Sequence, residues 1–256
     1  LQNNKFSEVI VAQNLVTLKE VDSTNTFLKK LLSNTEPVEE GTVILAESQT
    51  AGRGQQQNRW YSSANQSLAF SLLLLPSFLP LENQFNLIRI VSLGVYDALF
   101  PLIGEALKIK WPNDIYINDL KLGGILIESQ VQGGKIKSSV AGIGLNINQQ
   151  DFPDWVPNAV SLKQILHKDY DLKALMFDIC SHIGQWYIKL KAGNESQIEE
   201  AYLNTLYWLN KPGSFKAQDA IFGGTITGVS KTGLLQVDCN GVTAEYNLKE
   251  IEFLNK

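Results

Sequence analysis

Residues 107–147, LKIKWPNDIYINDLKLGGILIESQVQGGKIKSSVAGIGLNI, read as strands joined by turns, and the fold follows from them. Residues 107–111 and 115–117 are two strand candidates around Pro112-Asn113-Asp114, and Asn118-Asp119 turns the chain into residues 121–128. Gly133-Gly134 closes a hairpin, and residues 139–147 return through Gly142-Ile143-Gly144-Leu145-Asn146. Glycines inside a strand leave room for a ligand or another backbone.

N-terminal to this block, residues 9–21 alternate loosely and read as one or two short strands. Asp22-Ser23-Thr24-Asn25 then places side-chain oxygens ahead of an apolar-periodic run, which predicts a helix over 24–32. Strands are expected over 42–46 and 68–75, and a long helix over 85–103 covering one sheet face. C-terminal to the block, helical spacing recurs over 162–166, 172–190 and 196–209 until Lys211-Pro212-Gly213 breaks it. Short β runs at 214–216, 221–229, 233–238 and 243–247 follow, separated by glycine turns. The expectation is an α+β chain: a main domain over 1–210 and a small all-β domain over 211–256, packed against it because a module of that size is marginal alone.

Composition narrows the function. With 44% hydrophobic and 19% charged residues the chain reads as globular, and no uninterrupted apolar run approaches a bilayer span of about 20 residues. A net charge of -4 argues against a nucleic-acid-coating protein, whereas an anionic small ligand needs only local cations. Two cysteines, Cys180 and Cys239, are too few for a disulfide framework or a tetrahedral metal site, and they point to a reducing compartment, the cytoplasm. His167 and His182 stand apart in helix-like sequence and are read as structural.

Chemistry concentrates elsewhere. Gly52-Arg53-Gly54-Gln55-Gln56-Gln57-Asn58-Arg59-Trp60 joins a freely bending backbone, two guanidinium forks suited to carboxylate or phosphate, and an aromatic plane. Lying between two strands, it suits a loop that closes over an anionic ligand. Ser23-Thr24-Asn25, Lys110 to Asp114, Lys121 to Gly124 and Asn146 are further polar or glycine-rich interruptions of apolar sequence. Taken singly, they read as a helix cap, a strand junction and packing glycines.

In this order and spacing the segments resemble the biotin protein ligases: Ser-Thr-Asn, a Gln (Gln49) ahead of Gly-Arg-Gly, Lys-Trp-Pro-Asn-Asp, Lys121-Leu122-Gly123-Gly124-Ile125-Leu126-Ile127-Glu128, then Gly-x-Gly-x-Asn. The resemblance implies a mixed-sheet, class II synthetase-like catalytic domain with a C-terminal SH3-like β-barrel. It also implies a two-step reaction: biotin and ATP with Mg2+ give biotinyl-5′-adenylate, and a lysine of a biotin carboxyl carrier protein takes the biotinyl group. Lys121, Arg53 and Asp114 would be catalytic. Ser23, Thr24, Asn25, Gln49, Gly52, Arg53, Lys121, Gly124 and Leu126 would meet biotin, and Arg53, Gln55, Trp60, Asn113, Lys121 and Asn146 would meet ATP. Metal ligands are not assigned, and a homodimer is compatible with the resemblance.

Many relatives carry basic residues after Gly-Arg-Gly where this chain has Gln55-Gln56-Gln57, so its loop is less cationic. Others begin with a winged-helix DNA-binding domain, for which the segment before Ser23 has no room, so repression is not expected. Lipoate–protein ligases are the neighbouring alternative, disfavoured by Lys-Trp-Pro-Asn-Asp and Gly-Arg-Gly. A biotin-binding scaffold without catalysis is disfavoured by Arg53, Lys121 and Asp114.

Overall fold

Alternation along the strands decides which side of the central sheet is greasy and which can hold a ligand. The computed structural model describes residue 12, residues 14–55 and residues 58–254. Residues 9–11 and 13 of the first predicted strand segment, and Gln56 and Gln57, lie outside the described residues.

The first sheet contains β1 (Leu15–Leu18), β2 (Val43–Ala46), β3 (Ser67–Leu74), β4 (Leu107–Lys110), β5 (Asp114–Ile117), β6 (Leu120–Gln132) and β7 (Lys135–Asn146). Its order is β1-β2-β3-β7-β6-β5-β4, with β1 and β2 parallel and the other neighbours antiparallel. Leu68, Phe70, Leu72 and Leu74 of β3 join Ala141, Ile143 and Leu145 of β7 in the main core, as the two-residue period requires. That core is covered by α2 (Phe85–Ile103), α4 (Leu172–Lys191) and α5 (Glu195–Asn204).

Helix α2 is long and apolar enough to cross a membrane by composition alone. Here it is a core helix, with Leu87, Ile90, Val91, Val95 and Leu99 buried. On the opposite face, α1 (Thr24–Leu31) buries Leu28 against Ile44, Leu73 and Val140. Beside α1 the same face is nearly bare. Ser71, Gly142 and Leu126 form one row across β3, β7 and β6, and Ala69, Gly144, Gly124 and Asp114 form the next. A helix covering one end and small side chains beside it leave a cleft.

The predicted helix over 196–209 stops at Asn204. Leu206 pairs in parallel with Ile109, and Tyr207 N donates to Ile109 O at 2.8 Å, so the segment satisfies the open edge of β4 instead of continuing the helix. The short helix α3 (Leu162–Leu166) begins in a capping box from Ser161 and Gln164.

A second, antiparallel sheet contains β8 (Pro212–Ala217), β9 (Ala220–Val229), β10 (Leu235–Cys239), β11 (Val242–Tyr246) and β12 (Glu252–Leu254), in the order β11-β10-β9-β8-β12. Pro212, expected to break structure, opens β8, where no N–H is required. The two sheets are tied together at Arg89, which is 2% exposed: it donates to Ser230 O at 3.0 Å and Val229 O at 3.4 Å. Trp111 Nε1 donates to Gly233 O at 2.9 Å nearby.

Candidate active site

Two adjoining cavities, of about 240 and 190 Å3, open over the bare face of the first sheet and share Arg59, Trp60 and Lys121 in their walls. The larger one is bounded by the start of α1. Ser23 caps α1 by position but makes no side-chain cap hydrogen bond, so its hydroxyl is not committed to the helix. Gln49 Oε1 accepts from Thr24 N at 2.9 Å and Thr24 Oγ1 at 3.2 Å. Ser71 Oγ lies 2.7 Å from Thr24 Oγ1 and 2.6 Å from Asn25 Oδ1. This buried hydroxyl and amide row can orient a neutral polar ligand group, which must find partners once desolvated.

Asn25, expected to meet biotin, lines the larger cavity, and its Nδ2 donates to Leu126 O at 3.2 Å and Glu128 Oε2 at 2.9 Å. Asn113 also lines this cavity; its Nδ2 donates to Ile125 O while Ile125 N donates back to Asn113 O. Gly124 and Leu126 line the floor of this cavity.

Residues 52–55 and 58–60 pair with each other over this floor. Trp60 N donates to Gly52 O at 2.9 Å, Gly54 N donates to Asn58 O at 2.7 Å, and Arg53 bridges to Arg59. Trp60 lies flat against β7: a Cβ on Gly144 would sit 2.6 Å from Trp60 Cε2. The glycine is therefore required by close approach. Trp60 Nε1 is buried with no hydrogen-bond partner among the described residues. Gln55 lines the larger cavity beside Arg53.

Opposite this paired segment, Lys121 Nζ pairs with Asp114 Oδ2 at 2.7 Å, and Asp114 Oδ1 lies above Gly124. Lys121 is fixed through its backbone, accepting from Val160 N at 3.0 Å and donating to Asn158 O at 2.7 Å. Lys110 points away from the cleft. Its ammonium sits 4.8 Å from the Tyr116 ring and 4.9 Å from the Phe253 ring, and burial pulls its pKa down while Asp114 pulls it up.

The smaller cavity has Asn146 on its floor, oriented by Gln149 Nε2 at 3.0 Å, and Trp155, Val156, Pro157 and Ala159 along one wall. That wall was not foreseen, because residues 151–159 carry neither helical nor strand periodicity. Tyr61 and Trp155 of its lining meet edge to face, with Phe152 edge-on to Tyr61, which makes this side of the cavity aromatic. Also unforeseen were Ser71 and Leu248, the latter contributed to the larger cavity by the second sheet's chain segment. Alternation within β3 put Ser71 on the cleft side; nothing local pointed to Leu248.

Residues 17–146 match a sequence model of the Biotin/lipoate A/B protein ligase family. A biotin--[acetyl-CoA-carboxylase] ligase of Paracoccus denitrificans is 30% identical over 85% of this chain and 91% of its own length. The bifunctional ligase/repressor BirA of Bacillus spizizenii is 37% identical over 60% of this chain and 48% of its own length. The chain thus spans about half the length of the first curated relatives it matches. A solved structure of the Aquifex aeolicus biotin protein ligase in complex with biotin and ATP superposes with a TM-score of 0.79 at 28% identity, covering 95% of this chain and all of that one.

Proposed function

The chain belongs to the Biotin/lipoate A/B protein ligase family, and from that premise we propose that it is a biotin protein ligase. It joins biotin to the α-phosphate of MgATP, releases pyrophosphate, and passes the biotinyl group to a lysine of a biotin carboxyl carrier protein. The observation that carries this reading is the pair of adjoining cavities with Lys121 between them. One is shaped for a small bicycle with a polar end, the other for a planar base.

In the first half-reaction a biotin carboxylate oxygen forms a bond to the α-phosphorus while the bond to the bridging oxygen of the β-phosphate breaks. Two anions must approach, so Arg53, Arg59 and Lys121 serve by cancelling their repulsion where charge redistributes. Ser23, Thr24 and Gln49 hold the neutral ureido end of biotin, with Gly124 and Leu126 beneath the rings. Trp60 and Asn146, with the wall at 155–159, receive the adenine and its ribose. Among the described residues no cluster of three or more His, Cys, Asp or Glu is present. A magnesium ion carried by phosphates needs only one or two protein carboxylates, and Asp114 is the one lining the cleft.

In the second half-reaction the carrier's amine attacks the acyl carbon and AMP leaves with the bond electrons. The proton lost from the amine goes to Asp114, whose Oδ1 faces the floor while Oδ2 keeps Lys121 in place. The division into a catalytic domain over 1–210 and a C-terminal domain over 211–256 belongs to the same proposal, supported by the separate hydrogen bonding of the two sheets. Incubation with labelled biotin, ATP and a carrier domain should give labelled carrier, and parallel incubation with lipoate should not. Transfer of lipoate alone would reverse the assignment within the family.

A further inference from the structure

Glu128, the last residue of the Lys121–Glu128 motif, sits at the meeting point of three segments. Asn25 Nδ2 and Arg53 Nη2 both donate to its Oε2, at 2.9 and 2.8 Å, and Lys29 Nζ donates to Oε1 at 2.6 Å. Asn25 and Lys29 share one side of α1, Glu128 belongs to β6, and Arg53 belongs to the paired segment over the cleft. Burial pushes the Glu128 carboxyl up, but hydrogen bonds from Lys29 and Asn25 and the charges of Arg53 and Lys29 outweigh it and hold the group below the usual carboxylate range.

We propose that Glu128 is a positioning residue for adenylate formation: it aims the Arg53 guanidinium into the cleft, with Lys29 offsetting its charge. Only one nitrogen of Arg53 is taken by Glu128, which leaves further donors of the planar fork for a ligand anion. Arg53 is 40% exposed and would otherwise sample many rotamers, so the carboxylate removes an ordering cost that ligand binding would have to meet. Lys29 has a separate effect. One carboxylate against two cations leaves the cluster with a single positive charge, so Glu128 can hold Arg53 without cancelling its attraction for biotin's carboxylate.

The inference rests on the functional reading above and makes a prediction opposite in sign to simple electrostatics. Glu128→Gln makes the cleft more positive, and charge alone would tighten binding of an anion. Loss of aim weakens it instead. In biotin-dependent ATP–pyrophosphate exchange, Glu128→Gln should raise the KM for biotin about tenfold, the scale of one charge-assisted hydrogen bond, with a smaller change in kcat. In an Arg53→Ala background the same substitution should change nothing, because Glu128 acts through Arg53. Lys29→Met, at a partly exposed position, should also raise the KM, and it covers the case in which Glu128→Gln fails to fold. Exchange by the wild-type enzyme with an unchanged or lower KM in Glu128→Gln, or an effect that persists without Arg53, overturns this inference alone. No biotin-dependent exchange by the wild-type enzyme overturns the functional reading and this inference with it.

Discussion

In the proposed reaction Lys121 is the residue on which most of the chemistry turns, because it lines both cavities and its ammonium is held by Asp114 at 2.7 Å. Removing a preorganised charge of this kind costs about 3 to 4 kcal/mol of transition-state stabilisation. Lys121→Ala should therefore lower kcat for ATP–pyrophosphate exchange by two to three orders of magnitude, roughly the same scale in rate, and near-normal exchange would remove Lys121 from the mechanism. The cysteines give a test independent of function. Cys180 is buried in α4, and burial pushes its thiol from an ordinary 9.0 up to about 12, whereas Cys239 is half-buried near the end of β10. A thiol reagent at pH 8 should label Cys239 in the native protein and Cys180 only after denaturation. Because the folded thiol holds its proton where the unfolded one loses it, this group's contribution to stability falls as pH rises above about 9. Melting temperatures that stay level from pH 8 to 11 would show that Cys180 is not sealed in this way.

At the scale of elements, the strands that flank the cleft were legible as short apolar runs bounded by turn residues, and the cleft itself because glycines interrupt them. Gly144→Ala tests that second point. The added methyl would press on the Trp60 indole, so residues 58–60 should lift, with protease cleavage there increased and the KM for ATP raised about tenfold or more, the effect of misplacing a positioning group. Stability should hardly fall, since replacing glycine within a strand offsets about 0.4–1 kcal/mol through the unfolded chain. Unaltered cleavage and KM would detach Trp60 from the ligand. Other elements were illegible for physical reasons. The apolar spacing of 196–209 fits a helix equally well as a turn feeding Leu206 and Tyr207 onto an open sheet edge, and only the presence of that edge decides between them. Motif order pointed to Arg53, Asp114 and Lys121, which line one cavity. It could not show that Asn25 and Asn113 spend their amides on neighbouring carbonyls, or that Lys29 reaches Glu128, because those pairings exist only after β6 and α1 are packed.

For the whole molecule, the question is whether the second sheet is an appendage or part of the enzyme. Three contacts favour the latter. Trp111, in the cleft wall, donates to Gly233 O in the turn between β9 and β10; buried Arg89 caps the carbonyls of Val229 and Ser230; and Leu248 completes the larger cavity. The two bodies should then unfold as one cooperative unit, and binding of biotin should stabilise both. Gly233 is the place to break the link selectively. Its φ of +96° is a backbone state that side chains avoid, and a Cβ there would collide with the Phe85 ring of α2. Gly233→Ala therefore combines backbone strain of about 1–3 kcal/mol with a steric clash at the junction, while leaving the interior of each sheet intact. Calorimetry of the wild-type protein should show one transition, and that of Gly233→Ala two, with the ligand shifting only the one belonging to the first sheet. Transfer to the carrier should fall in parallel, because Trp111 and Leu248 lose their support together. A single wild-type-like transition with full activity in the variant would mean that the second sheet rests against the cleft without shaping it.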